Sequence, residues 1–530
     1  MKPWSRFVVV WTSLLMLGGP VLAQEGYLLL HRDLNFAVER SVQKNPSPEL
    51  HTAIRPYRAD QVQQVMEDYS IPHFQKSFLF RNRFANNNPE SGEPTTDFQW
   101  RLYPLFSLAG GYQAEPRSEV LNESSLGAGF QGSYRKKLFL NLNVQSFQAT
   151  FPDFVQNQNA VRSSVSGGGY AYGTENGVHF KNNSGYVAYQ PNSTFDFQLG
   201  YGRHFWGDGY RSLLLSDVAH NYGYGRISTN FWKIRYVNLF TNLQDVRFSG
   251  GDPSRFVDKY GTLHYLSYKA TNWLTIGLFE TVMWQGSDTL VDRGFDINYL
   301  NPVIFFRPVE FSTGSADNSL IGLNLKARVS PQIQFYGQVI LDEFLLAEFR
   351  ARTGWWGNKQ GAQLGMKYFD ALGVEGLVWQ GEFNTVRPFT YTHGSIEQNY
   401  AHYNQPLAHP MGANFNEVLS FLTYQKEEVT VEARFQLAQG GLSDTINQGD
   451  DLYLSNITRN REYGHETGQG TAYDVLTLGL RWGYLIYAPT NLRLEADFTW
   501  RNQLLGTSRT NHYIVSLGIR TALWNRYTDF

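Results

Sequence analysis

The densest group of side chains able to hold a ligand lies in Leu199–Asp217, where Trp206, Asp208 and Arg211 stand among Gly200, Gly202, Gly207 and Gly209. An indole offers an apolar plate to a sugar ring, while a carboxylate and a guanidinium could hydrogen-bond hydroxyls or charged substituents. The glycines permit a tight turn and a close approach of backbone to ligand. The same residues could equally lock this loop to a neighbouring wall, so two roles stay open. His409, Glu382 and Glu417 supply imidazole and carboxylate, donors that suit zinc or iron. Their spacing does not share one face as HExxH ligands do, so no metal is assigned. Asp342 and Glu343, at a strand end, suit pairing with lumen arginines, with calcium as the alternative. No catalytic residue is assigned: GxSxG is absent, Ser216 and His220 are a merely local pair, and one sequence does not place two carboxylates across a cavity.

The elements that must position these groups are strands. In Glu428–Ala438, Val429, Val431, Ala433, Phe435 and Leu437 share one face, and Thr430, Glu432, Arg434 and Gln436 share the other. The alternation recurs in Leu492–Trp500, Leu138–Val144, Ile321–Ala327 and Leu476–Tyr484. Tyrosine, phenylalanine and tryptophan number 32, 37 and 13, yet mean hydropathy is only -0.38. Half-oily strands of this kind fit a barrel wall between lipid and water. After Ala23 no stretch of 18 apolar residues occurs, so any crossing must be made by strands.

Short joins are expected at Ser228–Asn230, Thr271–Asn272, Ser330–Pro331, Leu372–Gly373, Lys426–Glu427 and Pro489–Asn491. Long connections alternate with them, at roughly 244–260, 285–317, 344–359, 388–415 and 439–473. This asymmetry predicts an all-β transmembrane antiparallel barrel of 16 to 18 strands, with 18 preferred, over 97–530. A soluble sandwich would need similar turns at both ends and would point charges into its core. Residues 1–23 read as an export signal, with Lys2 and Arg6, an apolar core Phe7–Leu17 and a cleavage site at Val21–Ala23. Residues 24–96 form an N-terminal periplasmic or plug segment with a short helix near Arg58–Asp68, linked to the barrel through Asn86–Thr96. Near the end, Tyr513, Val515, Leu517 and Ile519 alternate, but Phe530 has the opposite parity, so a kink or tail should follow about Trp524. With 0 cysteines and a net charge of -2, disulfides, thiolate chemistry and a nucleic-acid partner are set aside.

Trp206-Gly207-Asp208-Gly209 followed by Leu213-Leu214-Leu215-Ser216 resembles the signature of the Wzi-type capsule assembly family of outer-membrane barrels. Gly322–Lys326, Phe335–Gln338, Asp342-Glu343 and Gly361–Gly365 are similar to that family's central strands. Asp208 stands where many members carry proline, and Asp217-Val218-Ala219 replaces an asparagine-rich triplet. Glu382–Tyr391, Ala408–Glu417 and Asn301–Asn318 look closer to a Bacteroidetes branch that includes proteins like the gliding motility protein RemB. The resemblance implies a cell-surface role in the outer membrane: binding or assembly of capsular polysaccharide, or service to gliding machinery, without catalysis or a cofactor. A general diffusion porin is the alternative, and an outer-membrane hydrolase ranks behind it. The expected ligand contacts are Trp206, Asp208, Arg211, Glu382, Asn384, Arg387 and His409. Expected partners are surface polysaccharide, outer-membrane lipid and surface or periplasmic proteins.

Overall fold

The computed structural model of the protein describes residues 26–47, 49–66, 98–175, 177–287, 294–303, 317–487, 490–521 and 524–529. The export signal, the Asn86–Thr96 linker, Phe530, Pro489 and residues 304–316 of the Asn301–Asn318 block lie outside these residues.

Eighteen antiparallel staves close into one barrel. The first five are β1 (Phe98–Gln113), β2 (Glu119–Tyr134), β3 (Leu138–Thr150), β4 and β5 (Phe195–Gly202). Stave β4 is interrupted: its two pieces, Gly177–Lys181 and Ser184–Tyr189, both pair with β3. Then come β6 (Tyr222–Phe231), β7 (Ile234–Asp245), β8 (Val257–Lys269), β9 (Leu274–Gln285), β10 (Asn318–Arg328) and β11 (Ile333–Leu341). The circuit continues through β12 (Gln360–Phe369), β13 (Leu377–Val386), β14 (Phe415–Lys426), β15 (Val429–Leu442), β16 (Thr471–Tyr487), β17 (Leu492–Leu505) and β18 (Ser508–Arg520). Pairing from Ser107↔Arg520 to Gln113↔Ile514 joins β18 to β1 and closes the wall.

Alternation sets which face is wet. On β3, Leu138, Leu140, Leu142 and Val144 are exposed, whereas Asn141 and Gln145 are buried inside. On β15, Thr430, Glu432 and Gln436 point into a filled lumen and are buried, as the two-faced pattern requires. The outward apolar face is the surface a bilayer would cover. One sector departs from this rule. On the ladder positions facing outward, His264 and Glu280 are buried, because chain around Asp296–Pro302 lies against the wall. There Thr262 Oγ1 donates to Tyr299 O (3.1 Å), Tyr236 Oη donates to Pro302 O (2.7 Å), and Tyr299 stacks on Trp284 (4.7 Å between centroids).

Most joins fall where the turn chemistry places them, with one correction. Ser228–Asn230 lies within β6, whose pairing with β7 runs on to Phe231↔Ile234, and the turn is Trp232-Lys233. Trp232 itself takes the left-handed conformation (φ 55) that asparagine would have been expected to supply. The long connections sit together at the opposite end of the barrel. Two more lie there: 151–176, which the sequence did not reveal, and 203–221, already read as a loop around Leu199–Asp217.

Residues 26–66 occupy the short-turn mouth as a plug. Helix α1 (Arg32–Lys44), which the sequence reading did not find, packs with α2 (Ala59–Met66) through Val38, Val42, Leu50, Tyr57, Val62 and Val65. Polar ties bind α1 to the wall: Arg40 and Lys44 to Asp370 (2.7 and 2.8 Å), and Asp33 to Arg481 and Arg493 (2.7 and 2.5 Å). A second filling comes from the loops. Trp206, Leu213, Leu214, Tyr391, Tyr400 and Leu407 join inward residues of β7 to β11 in one apolar core inside the barrel. One glycine makes room inside the wall: the Tyr336 ring covers Gly365 on the next stave, where a Cβ would collide with it.

Candidate functional site

The loop Arg203–Asn221 leaves β5, runs into the lumen and returns to β6. Its entry is held by backbone pairing of Phe205 and Trp206 with Arg55 and Ile54 of the plug, and Trp206 N donates to Leu215 O (2.8 Å). Gly207 is needed at the next step, since a Cβ there would collide with the amide of Gln338. Trp206 is fully buried, its ring 5.4 Å from Tyr265 and 6.0 Å from Phe279. Of the two roles open for this residue, the contacts describe the lock: its faces are spent on the wall.

Asp208 reaches the other side of the same turn. It accepts from Thr52 Oγ1 (2.6 Å) and Asn324 Nδ2 (3.1 Å), and Lys326 Nζ lies 3.7 Å away. Burial alone would raise its pKa, but Lys326 and the two hydrogen bonds hold it below the ordinary carboxylate value.

Four more of the expected residues converge on one buried network. Arg211 donates to both oxygens of Glu417 (2.8 and 3.2 Å) and to Asp529 (3.2 Å). Glu382 accepts the backbone N–H groups of Tyr210 (2.8 Å) and Arg211 (3.1 Å), the Tyr336 hydroxyl (2.8 Å) and Asn384 Nδ2 (2.9 Å). Asn384 also donates to Glu417 (3.1 Å). His409 Nε2 lies 2.7 Å from Glu417, its Nδ1 accepts from Met411 N (3.2 Å), and its ring stacks on Phe415 at 4.3 Å. That pattern fits a neutral imidazole donating from Nε2, and burial lowers the pKa of His409 accordingly. The positive charge nearest these carboxylates is the Arg211 guanidinium, with Arg434 3.9 Å from Asp529. Among the described residues no group of three or more histidine, cysteine and acidic side chains could hold a metal ion.

Arg387 stands apart, on the long-loop side, donating to the carbonyls of Asn358 (2.9 Å) and His465 (3.2 Å). Asp342 and Glu343 do find a cation, but it is Lys359, 3.0 Å from each, in place of the expected arginines. Burial outweighs that lysine and pushes Asp342 up to about 6. Ser216 donates to the carbonyls of Leu407 and Ala408, while His220 lies against Tyr403 (4.8 Å), so the two do not act as a pair.

The residue that sequence reasoning missed is Asp529. The chain turns off the wall after Arg520, Trp524 packs on Phe147 (6.0 Å), and Asp529 arrives beside Arg211 and Tyr210 Oη (2.9 Å). Beside this network a cavity of about 400 Å³ separates α1 from β1, β2, β17 and β18. Its lining mixes signs, with Arg434, Arg481 and Arg520 against Glu123, Glu495 and Asp497. The Arg32 guanidinium crosses it to lie over Phe421 (3.9 Å).

The fold and the filled lumen define a class, a plugged membrane-spanning β-barrel of 18 staves. Within it, the chain resembles a solved structure described as Wzi, an outer-membrane protein involved in group 1 capsule assembly in Escherichia coli and a carbohydrate-binding β-barrel. The match has a TM-score of 0.57 and 15% identity, over 94% of this chain and 100% of that one. Pseudomonas aeruginosa OprD (TM-score 0.41, 10% identity, 80% of this chain and 94% of that one) and Acinetobacter baumannii OccAB2 (TM-score 0.44, 8% identity, 79% and 98%) are more distant. No family model and no curated protein matches the chain.

Proposed function

We propose that the protein is a non-enzymatic outer-membrane barrel that binds surface polysaccharide. One observation carries the reading: the barrel's lumen is filled by its own plug, loops and tail, in an architecture shared end to end with a barrel described as carbohydrate-binding. A general diffusion pore of this size leaves an aqueous channel, whereas here Trp206, Leu213, Tyr391 and Tyr400 are fully or almost fully buried in its middle. Affinity for a polymer arises from many weak aromatic and hydrogen-bonding contacts acting together. In this reading Trp206, Asp208, Arg211, Glu382, Asn384 and His409 hold the inward loop as scaffold without touching the glycan, and Arg387 ties the long loops together. Capsule assembly follows the sequence resemblance and the neighbour's description. A gliding-related role rests on the sequence pattern of 301–318 and 382–417 alone.

The test is binding of purified barrel to polysaccharide extracted from the surface of the producing cell, alongside conductance in a planar bilayer. Binding with no sustained conductance is expected. A stable open channel that binds no polymer would overturn the proposal in favour of a porin.

A further inference from the structure

On the side of the barrel away from the Arg211 network, two adjoining cavities differ from the others: a notch whose His179, Lys181 and Tyr201 lie on outward-facing ladder positions, and a chamber inside the wall. The first, about 420 Å³, is a notch at the long-loop rim, lined by Tyr170, Tyr172, His179, Tyr201, His220 and Tyr403 among others. It exists because β5 has 8 residues where β1 has 16, and the chain turns inward after Gly202 instead of continuing the wall. The rings flank an opening: Tyr170 and Tyr172 lie 4.9 Å apart, Tyr201 stands edge-on to His220 at 5.9 Å, and Tyr201 and Tyr172 are 38% and 40% exposed.

The second cavity, about 150 Å³, lies inside β1, β3, β4 and β5 and shares Tyr201 with the notch. Its wall is built of amides and phenols, such as Asn141, Asn143, Gln145, Tyr103, Gln198 and Tyr224. Tyr103 Oη donates to Asn143 (2.7 Å), Asn143 Nδ2 to Asn141 Oδ1 (2.7 Å), Gln145 Nε2 to Ser125 Oγ (2.7 Å) and Tyr224 Oη to Gln198 Oε1 (3.1 Å), a polar network along the chamber wall. Several buried polar atoms on these linings have no hydrogen-bond partner: Nε2 of Gln198, Oγ1 of Thr490 and Nε1 of Trp524 on the chamber, and Nδ1 of His220 on the notch. A buried polar atom without a partner costs free energy unless something arrives to satisfy it.

Charge separates this pair of cavities from the one beside α1. No aspartate or glutamate lines either of them, whereas Lys181, Arg101 and Arg203 do. Arg203 spends one nitrogen on the carbonyls of Gly167 (3.0 Å) and Asp217 (3.1 Å), and the Asp217 carboxylate is taken by Asn525 (2.8 Å) and Tyr527 (2.7 Å).

We propose that the notch and the inner chamber form one track that binds an acidic glycan, with sugar rings against the tyrosines and carboxylates facing Arg203 and Lys181. This rests on the polysaccharide reading above and gives it a site and a charge. Tyrosine faces take the apolar side of a pyranose, the amides exchange hydrogen bonds with its hydroxyls, and a carboxylate-free lining admits a polyanion without like-charge repulsion.

The test uses full-length protein in detergent micelles with oligogalacturonate as the acidic probe and maltoheptaose as the neutral one. Tighter binding of oligogalacturonate is expected, weakening as salt is raised. Tyr201→Ala, at an exposed ring, should weaken it about 3-fold to 10-fold. Arg203→Gln should remove most of the preference for the acidic probe. Gly202→Trp should obstruct the junction, since a Cβ at position 202 points at open space with only Tyr224 near (3.5 Å). A heat-modifiable gel shift confirms that each variant is folded. Unchanged affinity in both Tyr201→Ala and Gly202→Trp would overturn the track. Equal binding of the two probes, or binding of cell-surface polymer without oligogalacturonate, would overturn the acidic assignment and leave the polysaccharide reading intact. Failure to bind any of the three glycans would overturn both.

Discussion

The two sides of the lumen are built from similar residue types and do opposite things. Toward β9 to β14, charges meet charges: Arg211, Glu417, Asp529, Glu382 and His409 satisfy one another within about 3 Å and are buried. Toward β1 to β5, phenols and amides line space, and Gln198 and His220 keep atoms unsatisfied. A dense cluster of aromatic and charged residues is therefore not by itself a binding site. What separates scaffold from site here is open space: the Arg211, Glu382 and Glu417 side chains are closed on one another, whereas the tyrosines and amides around Tyr201 border cavities.

This contrast predicts different consequences on the two sides. The largest effect belongs to Arg211→Met, which strands Glu417 and Asp529 in a dry interior and should cost about 5 kcal/mol in urea unfolding from micelles. A loss below about 1 kcal/mol would mean that the packed side is not a lock. Next, Trp206→Ala opens a cavity against Tyr265 and Phe279 and should cost about 3–4 kcal/mol, while the folded variant binds glycan as the wild type does. Selective loss of binding with full stability would put the site on the packed side after all.

A smaller effect is pH-dependent. Burial holds the folded-state pKa of His409 below its ordinary value of 6.5, with Glu417, Arg211 and Asp529 as the charged groups around it. Its stabilisation is thus complete above pH 6.5 and is lost as pH falls below that value, with a slope of up to about 1.4 kcal/mol per pH unit. Unfolding measured from pH 7 to 5 should show a slope to which other buried histidines such as His220 and His402 also contribute, and His409→Gln should reduce it. An unchanged slope in that variant would assign the acid sensitivity elsewhere. The smallest effect is expected for Arg387→Ala, about 1 kcal/mol from lost bonds to the carbonyls of Asn358 and His465. It should appear as faster proteolysis in 353–359 and 459–468, with little change in global unfolding.

The wall was legible in the sequence because a strand's period of two survives burial on both faces: Val429 to Leu437 outward and Thr430 to Gln436 inward needed only alternation. The long and short connections were legible for the same reason, as interruptions of that period. The filling of the lumen was not. Helix α1 hides in a polar stretch: its buried residues include Asp33, Asn35, Ser41 and Gln43 as well as Val38 and Val42, so few apolar residues mark its inward face. Six of the seven expected ligand residues do lie in the lumen, but sequence could not tell a satisfied polar group from a free one. That depended on partners as remote as Asp529, 318 positions from Arg211. The track near Tyr201 left no motif, because its defining features are a short stave and absent carboxylates. His264 and Glu280 show the converse limit, outward positions that alternation would assign to lipid and that the protein's own chain covers.

The most direct test of the contrast is a structure of the barrel determined with a bound oligogalacturonate. Sugar density is expected to run from the Tyr170–Tyr172 notch past Tyr201 to Gln198, with the Arg211–Glu417 network unchanged. Density confined to the tips of the long loops, or lodged against Trp206 with Arg211 displaced, would contradict the contrast.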